Sequence, residues 1–249
     1  MTLQSSPIES GFNNLDKITG GFFPSEVTNI GSRPSVGKTS FMLNVIKNIC
    51  INKTAKPLLF SIEMSELSIK QRLFSMISGI SIFDIRKGLV KDEKSLLETE
   101  QIISDLIIDD TPNLRIDTLV SKAMEYVQKD GCNIIFIDYL GLISSFKENA
   151  PVYEQIYTIT KLLKTLAKQL NIPVVCTCQV AKSIDTDEPT LQQLRGSSSV
   201  EEDSDVIILI HRVNNSSESS LTVAKNRNGD LGKLEVTFNH NIVAFKENV

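Results

Sequence analysis

With 249 residues, 41% hydrophobic and 22% charged, the chain has the balance of an ordinary globule and is long enough for one large α/β domain with a substantial core. A formal net charge of −4 excludes a global basic field, so any contact with nucleic acid must fall to local loops. Apolar runs are too short to span a bilayer and the N-terminus lacks a signal peptide's apolar stretch, so a cytoplasmic protein with no membrane partner is expected.

Residues Met1 to Ser10 are polar and carry Pro7, and read as a loose arm. From Gly11 to Gly21, glycines mark turns on either side of a short helical piece. Glu26 to Ile30 is a short β-branched run that predicts a strand, and Phe41 to Ile46 is apolar at helical spacing. Between them lies Gly31-Ser32-Arg33-Pro34-Ser35-Val36-Gly37-Lys38-Thr39-Ser40. Strand, tight loop, Gly-Lys-Thr and helix together predict a phosphate-binding loop. Backbone N–H groups from Ser32 to Ser40 would line one concavity, helped by the positive end of the helix. Lys38 would reach the β- and γ-phosphates and Thr39 would ligate Mg²⁺, so ATP and Mg²⁺ are the expected cofactors. The usual pattern places glycine at position 32; here Ser32 stands there, and the glycine comes one step earlier.

Pro57 to Ile62 is a continuous apolar run suited to a strand covered on both faces. Glu63 follows it, at the carboxyl edge where open α/β sheets bind ligands. Glu63 is either a site carboxylate or an ordinary exposed acid, and its position alone does not choose. Ser65 caps a helix predicted from Glu66 to Ser78. Asp92 to Ser104 reads as a helix, Leu106 to Asp109 as a short strand and Ile116 to Lys129 as another helix. No chemistry is read from residues 79 to 130.

Asn133 to Asp138 is a second apolar strand ending in a carboxylate. Asp138 would hold Mg²⁺ opposite Thr39, with a capping role as the alternative. A loop at 146–151 carries Lys147. Val152 to Leu170 has one apolar stripe and predicts a long amphipathic helix that Pro173 stops. Val174 to Cys178 is the next strand and ends in Gln179, which either touches the γ-phosphate or is a polar strand terminus. Of the four cysteines, Cys50, Cys132, Cys176 and Cys178, the last two share one strand face, and none has metal-ligand spacing; reduced core thiols are expected.

Ser183 to Ser204 is polar and is expected as a flexible loop. Within it, Arg195 and the backbone of Gly196, Ser197 and Ser198 either bind phosphates or form plain surface. Four strand-like runs follow, at 205–212, 221–225, 233–238 and 242–245, with Asn228-Gly229-Asp230 as a turn. His211 and His240 have no partners by spacing and read as structural.

Taken together, these motifs resemble the C-terminal ATPase domain of DnaB-type replicative helicases, within the RecA-like fold. The matching pieces are Gly11-Phe12, Leu15-Asp16, Thr19-Gly20-Gly21, Arg33-Pro34-Ser35 with Gly37-Lys38-Thr39, Phe60-Ser61-Ile62-Glu63-Met64, Ile137-Asp138-Tyr139-Leu140, Asn171 to Val175 with Gln179, and Lys225-Asn226-Arg227-Asn228-Gly229. The implied fold is a mostly parallel α/β sheet with flanking helices and a C-terminal antiparallel extension. The implied activity is ATP hydrolysis coupled to movement on single-stranded DNA and unwinding. By the resemblance, Glu63 is the base for the attacking water and Asp138 the Mg²⁺-linked acid. Gln179 is the γ-phosphate sensor and Arg72 a support of the same site. Lys225 and Arg227 are a pair acting in trans on the neighbour's nucleotide in a hexameric ring. Lys147 falls at the first DNA loop, which in the family is usually richer in arginine, and Arg195-Gly196-Ser197-Ser198 at the second, where it keeps only the arginine and one serine of the family's Arg-Glu-Ser-Gly. A helicase loader or primase is a further implied partner.

The family's helicases carry an N-terminal collar, whereas ten residues precede Gly11 here, which reads as an arm or linker remnant before an ATPase domain at 11–249. Unwinding by this chain alone is therefore open. Two other readings stand beside the helicase motor. One is a collar-less ATPase acting as a nucleotide-dependent assembly or regulatory module. The other is a relative of RecA-type recombinases, for which Arg33-Pro34-Ser35 and Lys225-x-Arg227 are poor fits.

Overall fold

The computed structural model describes residues 6–145, 150–180, 188–194, 197–213 and 216–248. In chain order the strands are β1 (Val27–Ser32), β2 (Pro57–Ser61), β3 (Ile107–Asp109), β4 (Ile134–Asp138), β5 (Val174–Gln179), β6 (Val206–Arg212), β7 (Glu218–Asn226), β8 (Gly232–Asn239) and β9 (Ala244–Glu247). The helices are α1 (Asn13–Thr19), α2 (Lys38–Asn52), α3 (Glu66–Ser78), α4 (Ile82–Arg86), α5 (Glu93–Ile102), α6 (Ile116–Asp130), α7 (Val152–Leu170) and α8 (Ser197–Asp203). All the strands join one sheet in the order β3-β2-β4-β5-β1-β6-β7-β8-β9. Pairing is parallel from β3 to β6 and antiparallel from β6 to β9, the RecA-like arrangement expected from the sequence.

Period-two alternation divides the strand side chains between two cores. Ile30, Phe136 and Val175 face one core with Leu15, Phe41, Ile46 and Leu73 of α1, α2 and α3. Ile135, Val174, Cys176 and Cys178 face the other, with Leu119 of α6 and Leu163 of α7. The parallel strands are therefore covered on both faces, which is why they read as continuous apolar runs. β1 lies at the middle of the sheet, so the loop that follows it is held by a strand paired on both sides.

The structure departs from the sequence reading in four places. The arm is anchored from Ile8, which exchanges backbone hydrogen bonds with Phe22 at 2.8 and 2.9 Å. β1 continues through Gly31 and Ser32, both expected in the loop, because both pair with β5 and β6. α4 was not expected; it is a short helix whose Ile82 N–H donates to the Asn241 carbonyl across the fold. Finally, the polar stretch expected as a flexible loop holds, among its described residues, a 3-10 turn at Leu191–Gln193 and the helix α8. Val200 anchors α8 in the second core.

Candidate functional site

The phosphate loop closes tightly because glycine stands where the chain needs it. A Cβ on Gly31 would meet Leu194 and Leu209 side chains at 2.8 and 2.9 Å. That approach explains the displaced glycine: position 31 faces the neighbouring side chains, and Ser32 is accommodated fully buried with its Oγ donating to the Arg33 carbonyl at 2.8 Å. Gly37 adopts φ 119°, a region L side chains avoid, immediately before α2. Ser35 also has positive φ, at 63°. Arg212, at the end of β6, donates from Nη2 to the Ser35 carbonyl at 2.9 Å and from Nε to the Val36 carbonyl at 3.0 Å. The outer wall of the loop is thus braced from a strand far away in sequence.

A cleft of about 410 Å³ opens over this loop. The loop side is formed by Ser35, Gly37, Lys38, Thr39 and Ser40, the β2–α3 side by Glu63, Met64 and Arg72, and the far side by Arg212, Phe238 and Val243. Its size is within the range of small-molecule sites. Lys38 is buried, with its Nζ 5.0 Å from the centre of the Tyr139 ring. Thr39 Oγ1 donates to Asp138 Oδ2 at 2.7 Å, and Thr177 Oγ1 on β5 donates to Asp138 Oδ1 at 2.5 Å. Asp138 is 1% exposed, so its two oxygens are aimed by these two hydroxyls rather than by water. One hydroxyl and one carboxylate, both hard oxygen donors and already adjacent, fit Mg²⁺ beside bound phosphates.

Glu63 lines the cleft and is exposed. Arg72 donates from Nη1 to Ser40 Oγ at 3.4 Å. Burial pulls its pKa below the usual arginine value, while the Asp138 and Glu63 carboxylates act the other way. The Cys178 thiol, behind Lys38, is pushed up to about 12 by burial, with the Lys38 charge opposing.

The predicted residues do not all meet at this cleft. Gln179 pairs with Ser32 in the sheet and, together with Tyr139, lines a separate, more apolar cavity between β5 and α7. Lys225 and Arg227 lie at the opposite edge of the sheet. β6 runs parallel to β1, and β7 returns antiparallel so that Lys225 pairs with Ile207, level with Asn29 of β1, while the Arg227 N–H donates to the carbonyl of Asp205, level with Val27 at the start of β1. At the usual strand rise, Ser32 at the mouth of the phosphate loop lies about 10 Å beyond the Lys225 level and about 17 Å beyond the Arg227 level. Lys147, Arg195 and Gly196 lie outside the described residues. Ser197 and Ser198 open α8, and Ser198 is exposed.

Thr177, Arg212, Phe238 and Val243 were missed in the sequence. Thr177, Arg212 and Phe238 reach the site through sheet pairing and Val243 from the turn between β8 and β9, rather than through a local motif. Arg212 also stacks its guanidinium over Phe238, 4.6 Å from the ring centre, and His240 packs edge-on against the same ring at 5.0 Å. No helix among the described residues is long and apolar enough to cross a membrane.

The model of a family described as DnaB-like helicase C terminal domain matches residues 7–247. A replicative DNA helicase DnaB of Treponema pallidum (strain Nichols) is 38% identical over 242 residues, covering 96% of this chain and 55% of the relative. One from Geobacillus stearothermophilus is 32% identical over 248 residues, covering 93% and 54%. The chain thus spans about half the length of these relatives. Among solved structures, an ATPase domain superposes with a TM-score of 0.91 at 26% identity, covering 99% of this chain and 93% of that one. A DnaB-like replicative helicase, solved to describe its interactions with primase, gives 0.90 at 26% identity, covering 100% and 65%.

Proposed function

The chain belongs to the DnaB-like helicase family, as its C-terminal domain, and from that premise we propose that it is the Mg-ATP-hydrolysing motor of a ring-shaped, hexameric replicative helicase. Hydrolysis drives movement on single-stranded DNA and duplex unwinding, in the cytoplasm, with a loader or primase as further partners; one structural neighbour was solved with its primase interactions in view.

The Thr39–Asp138 pairing carries this reading. Lys38 neutralises the β- and γ-phosphates from α2, and the N–H groups of the loop and helix start complete the cradle. Thr39 and Asp138 would hold Mg²⁺, which when bound would offset the negative charge that develops on phosphoryl transfer. Glu63, exposed at the cleft wall, takes the proton of the attacking water. Arg72, charged and half-buried between Glu63 and Asp138, steadies both carboxylates. Phe238 and Val243 supply the apolar far wall, which would take the adenine ring. Gln179, one strand away beside Ser32, is the residue that registers loss of the γ-phosphate and passes it towards the DNA loops, where Lys147 and Arg195-Gly196-Ser197-Ser198 contact the strand.

Arg227 is held about 17 Å along the sheet from its own phosphate loop and Lys225 Nζ is tied to the end of α8, which supports action on the neighbour's nucleotide. Mixing two inactive variants, Lys38→Ala and Arg227→Ala, tests this. Arg227→Ala alone should lower kcat at least about tenfold with little change in nucleotide affinity, since a cation is lost from the transition state. In mixed rings, interfaces that join an intact phosphate loop to an intact Arg227 should regain activity. A mixture that forms mixed oligomers and stays as inactive as its components removes the trans role.

A further inference from the structure

From the last residue of α8 to the start of β6 three polar residues follow one another, Asp203, Ser204 and Asp205, and all are buried. Together they tie α7, β1 and the end of β7 to the junction. Asp203 accepts from Thr160 Oγ1 and Lys161 Nζ of α7, both at 2.7 Å. Ser204 Oγ accepts from Asn29 Nδ2 of β1 at 2.7 Å. Asp205 does the most. Its Oδ2 accepts from the Val27 N–H at 2.8 Å and from Lys164 Nζ at 2.6 Å. Its Oδ1 accepts from Arg227 Nη1 at 3.3 Å, and its backbone carbonyl accepts from the Arg227 N–H at 2.9 Å. One residue therefore grips both the main chain and the side chain of Arg227.

The end of α8 completes the clamp. The Glu202 carbonyl accepts from Arg227 Nη2 at 3.0 Å, and Lys225 Nζ donates to the carbonyls of Glu201 and Ser204. A carboxylate that is only 5% exposed is costly to bury unless its partners are charged and well placed. Capping the Val27 N–H needs one neutral acceptor. A full negative charge is needed only because two cations, Lys164 and Arg227, converge on it. Arg227 itself remains 49% exposed, so without this hold its long side chain would sample many rotamers. Two of the five guanidinium N–H groups are engaged by these contacts, and the rest stay available to a phosphate.

We infer that Asp205 is a positioning residue for the in-trans cations: it holds Arg227, and through the end of α8 Lys225, in the geometry offered to the neighbouring subunit's nucleotide. Asp205 touches no reacting atom; it removes the entropy that ordering Arg227 would otherwise cost at the moment of reaction. The assignment rests on the in-trans reading of Lys225 and Arg227. It also means that β1 joins two sites in one subunit, since Val27 at its start is bonded to Asp205 and Ser32 at its end leads into the phosphate loop.

Asp205→Asn keeps the shape and one acceptor but loses the charge that strengthens the contact. Its kcat should fall about fivefold, with nucleotide affinity within about twofold of the parent, because only a transition-state contact is loosened. The double variant Asp205→Asn/Arg227→Ala should be no slower than Arg227→Ala, since the two residues act as one unit. Mixed with Lys38→Ala, the Asp205→Asn subunit should recover activity, because its own phosphate loop is sound and receives an intact Arg227 from its neighbour. A merely destabilised subunit would not recover in that mixture. Asp205→Glu, which keeps the charge and shifts it by one methylene, should show the same pattern and serves if the Asn variant does not fold. Additive losses in the double variant, or wild-type kcat in a folded Asp205→Asn, overturn the assignment and leave the in-trans reading standing. Wild-type turnover in Arg227→Ala overturns that reading, and the assignment falls with it.

Discussion

Asp138 owes its orientation to two threonines that come from different elements, Thr39 at the start of α2 and Thr177 within β5. Thr39 is the expected ligand partner; Thr177 is the hidden one, fully buried and bonded to the oxygen that faces away from the loop. Replacing it by valine keeps the shape and removes the hydroxyl. One carboxylate oxygen is then left buried without that donor, at a cost of about 1–3 kcal/mol in fold stability. The more specific effect is on the metal. Groups behind a ligand commonly change metal affinity by about 10–100-fold when removed. In Thr177→Val, the Mg²⁺ concentration giving half-maximal ATP hydrolysis should therefore rise at least about tenfold, at saturating ATP. An unchanged Mg²⁺ dependence in a folded variant would mean that Thr39 alone sets the carboxylate. Thr177 was invisible as a site residue because a threonine in a β-branched strand is what strand propensity alone predicts. By contrast, Lys38, Thr39 and Asp138 were legible as candidates because each stands at a helix start or a strand end, where polar residues interrupt apolar runs, whereas the position of Glu63 alone left it open.

At the scale of elements, legibility follows how local the causes are. α3 was read with its observed limits because its signals are its own: Ser65 accepts from the Ser68 N–H at 3.3 Å, Glu66 pairs with Lys70 at 2.6 Å, and Gly79 ends it with φ 76°. Ser65→Ala should cost about 1 kcal/mol, read as a lower denaturation midpoint with unchanged slope. A wild-type midpoint would show that α3 is held by core packing through Ile69 and Leu73 alone. α8 is the opposite case. Its Ser197-Ser198-Ser199 start is poor in helix propensity, and nothing in the local pattern predicts it. It forms because Val200 enters the core and its carboxyl end is tied to α7, β1 and β7 through Asp203, Ser204 and Asp205. Arg212 was missed for the same reason: only the β1–β6 pairing brings the end of β6 beside the phosphate loop.

For the whole molecule, a parallel sheet covered on both faces has a consequence for its thiols. Cys176 and Cys178 lie on one face of β5 in the second core, Cys132 joins them there, and Cys50 lies in the first core. All four are free and buried. Burial pushes Cys50 and Cys178 up to about 12, and raises Cys132 and Cys176 as well. In the unfolded chain each would ionise near about 8.5. A folded-state pKa raised above the unfolded one means that the stabilising contribution is complete below about 8.5 and is lost as pH rises from there through the folded value, because the unfolded chain releases a proton the folded chain keeps. Each such thiol costs about 1.4 kcal/mol per pH unit over that span. At neutral pH the native protein should react negligibly with a thiol reagent, and all four cysteines should react once it is unfolded. Denaturation midpoints should hold level up to about pH 8 and fall steeply above it. Lysines and tyrosines also titrate in that range, so the comparison that isolates the effect is with Cys178→Ala. That variant should be less stable at pH 7, because a filled site is emptied, yet it should lose stability more slowly between pH 9 and pH 11 by about one proton's worth of slope. Parallel pH profiles for the two proteins would show that Cys178 is not kept neutral by the fold.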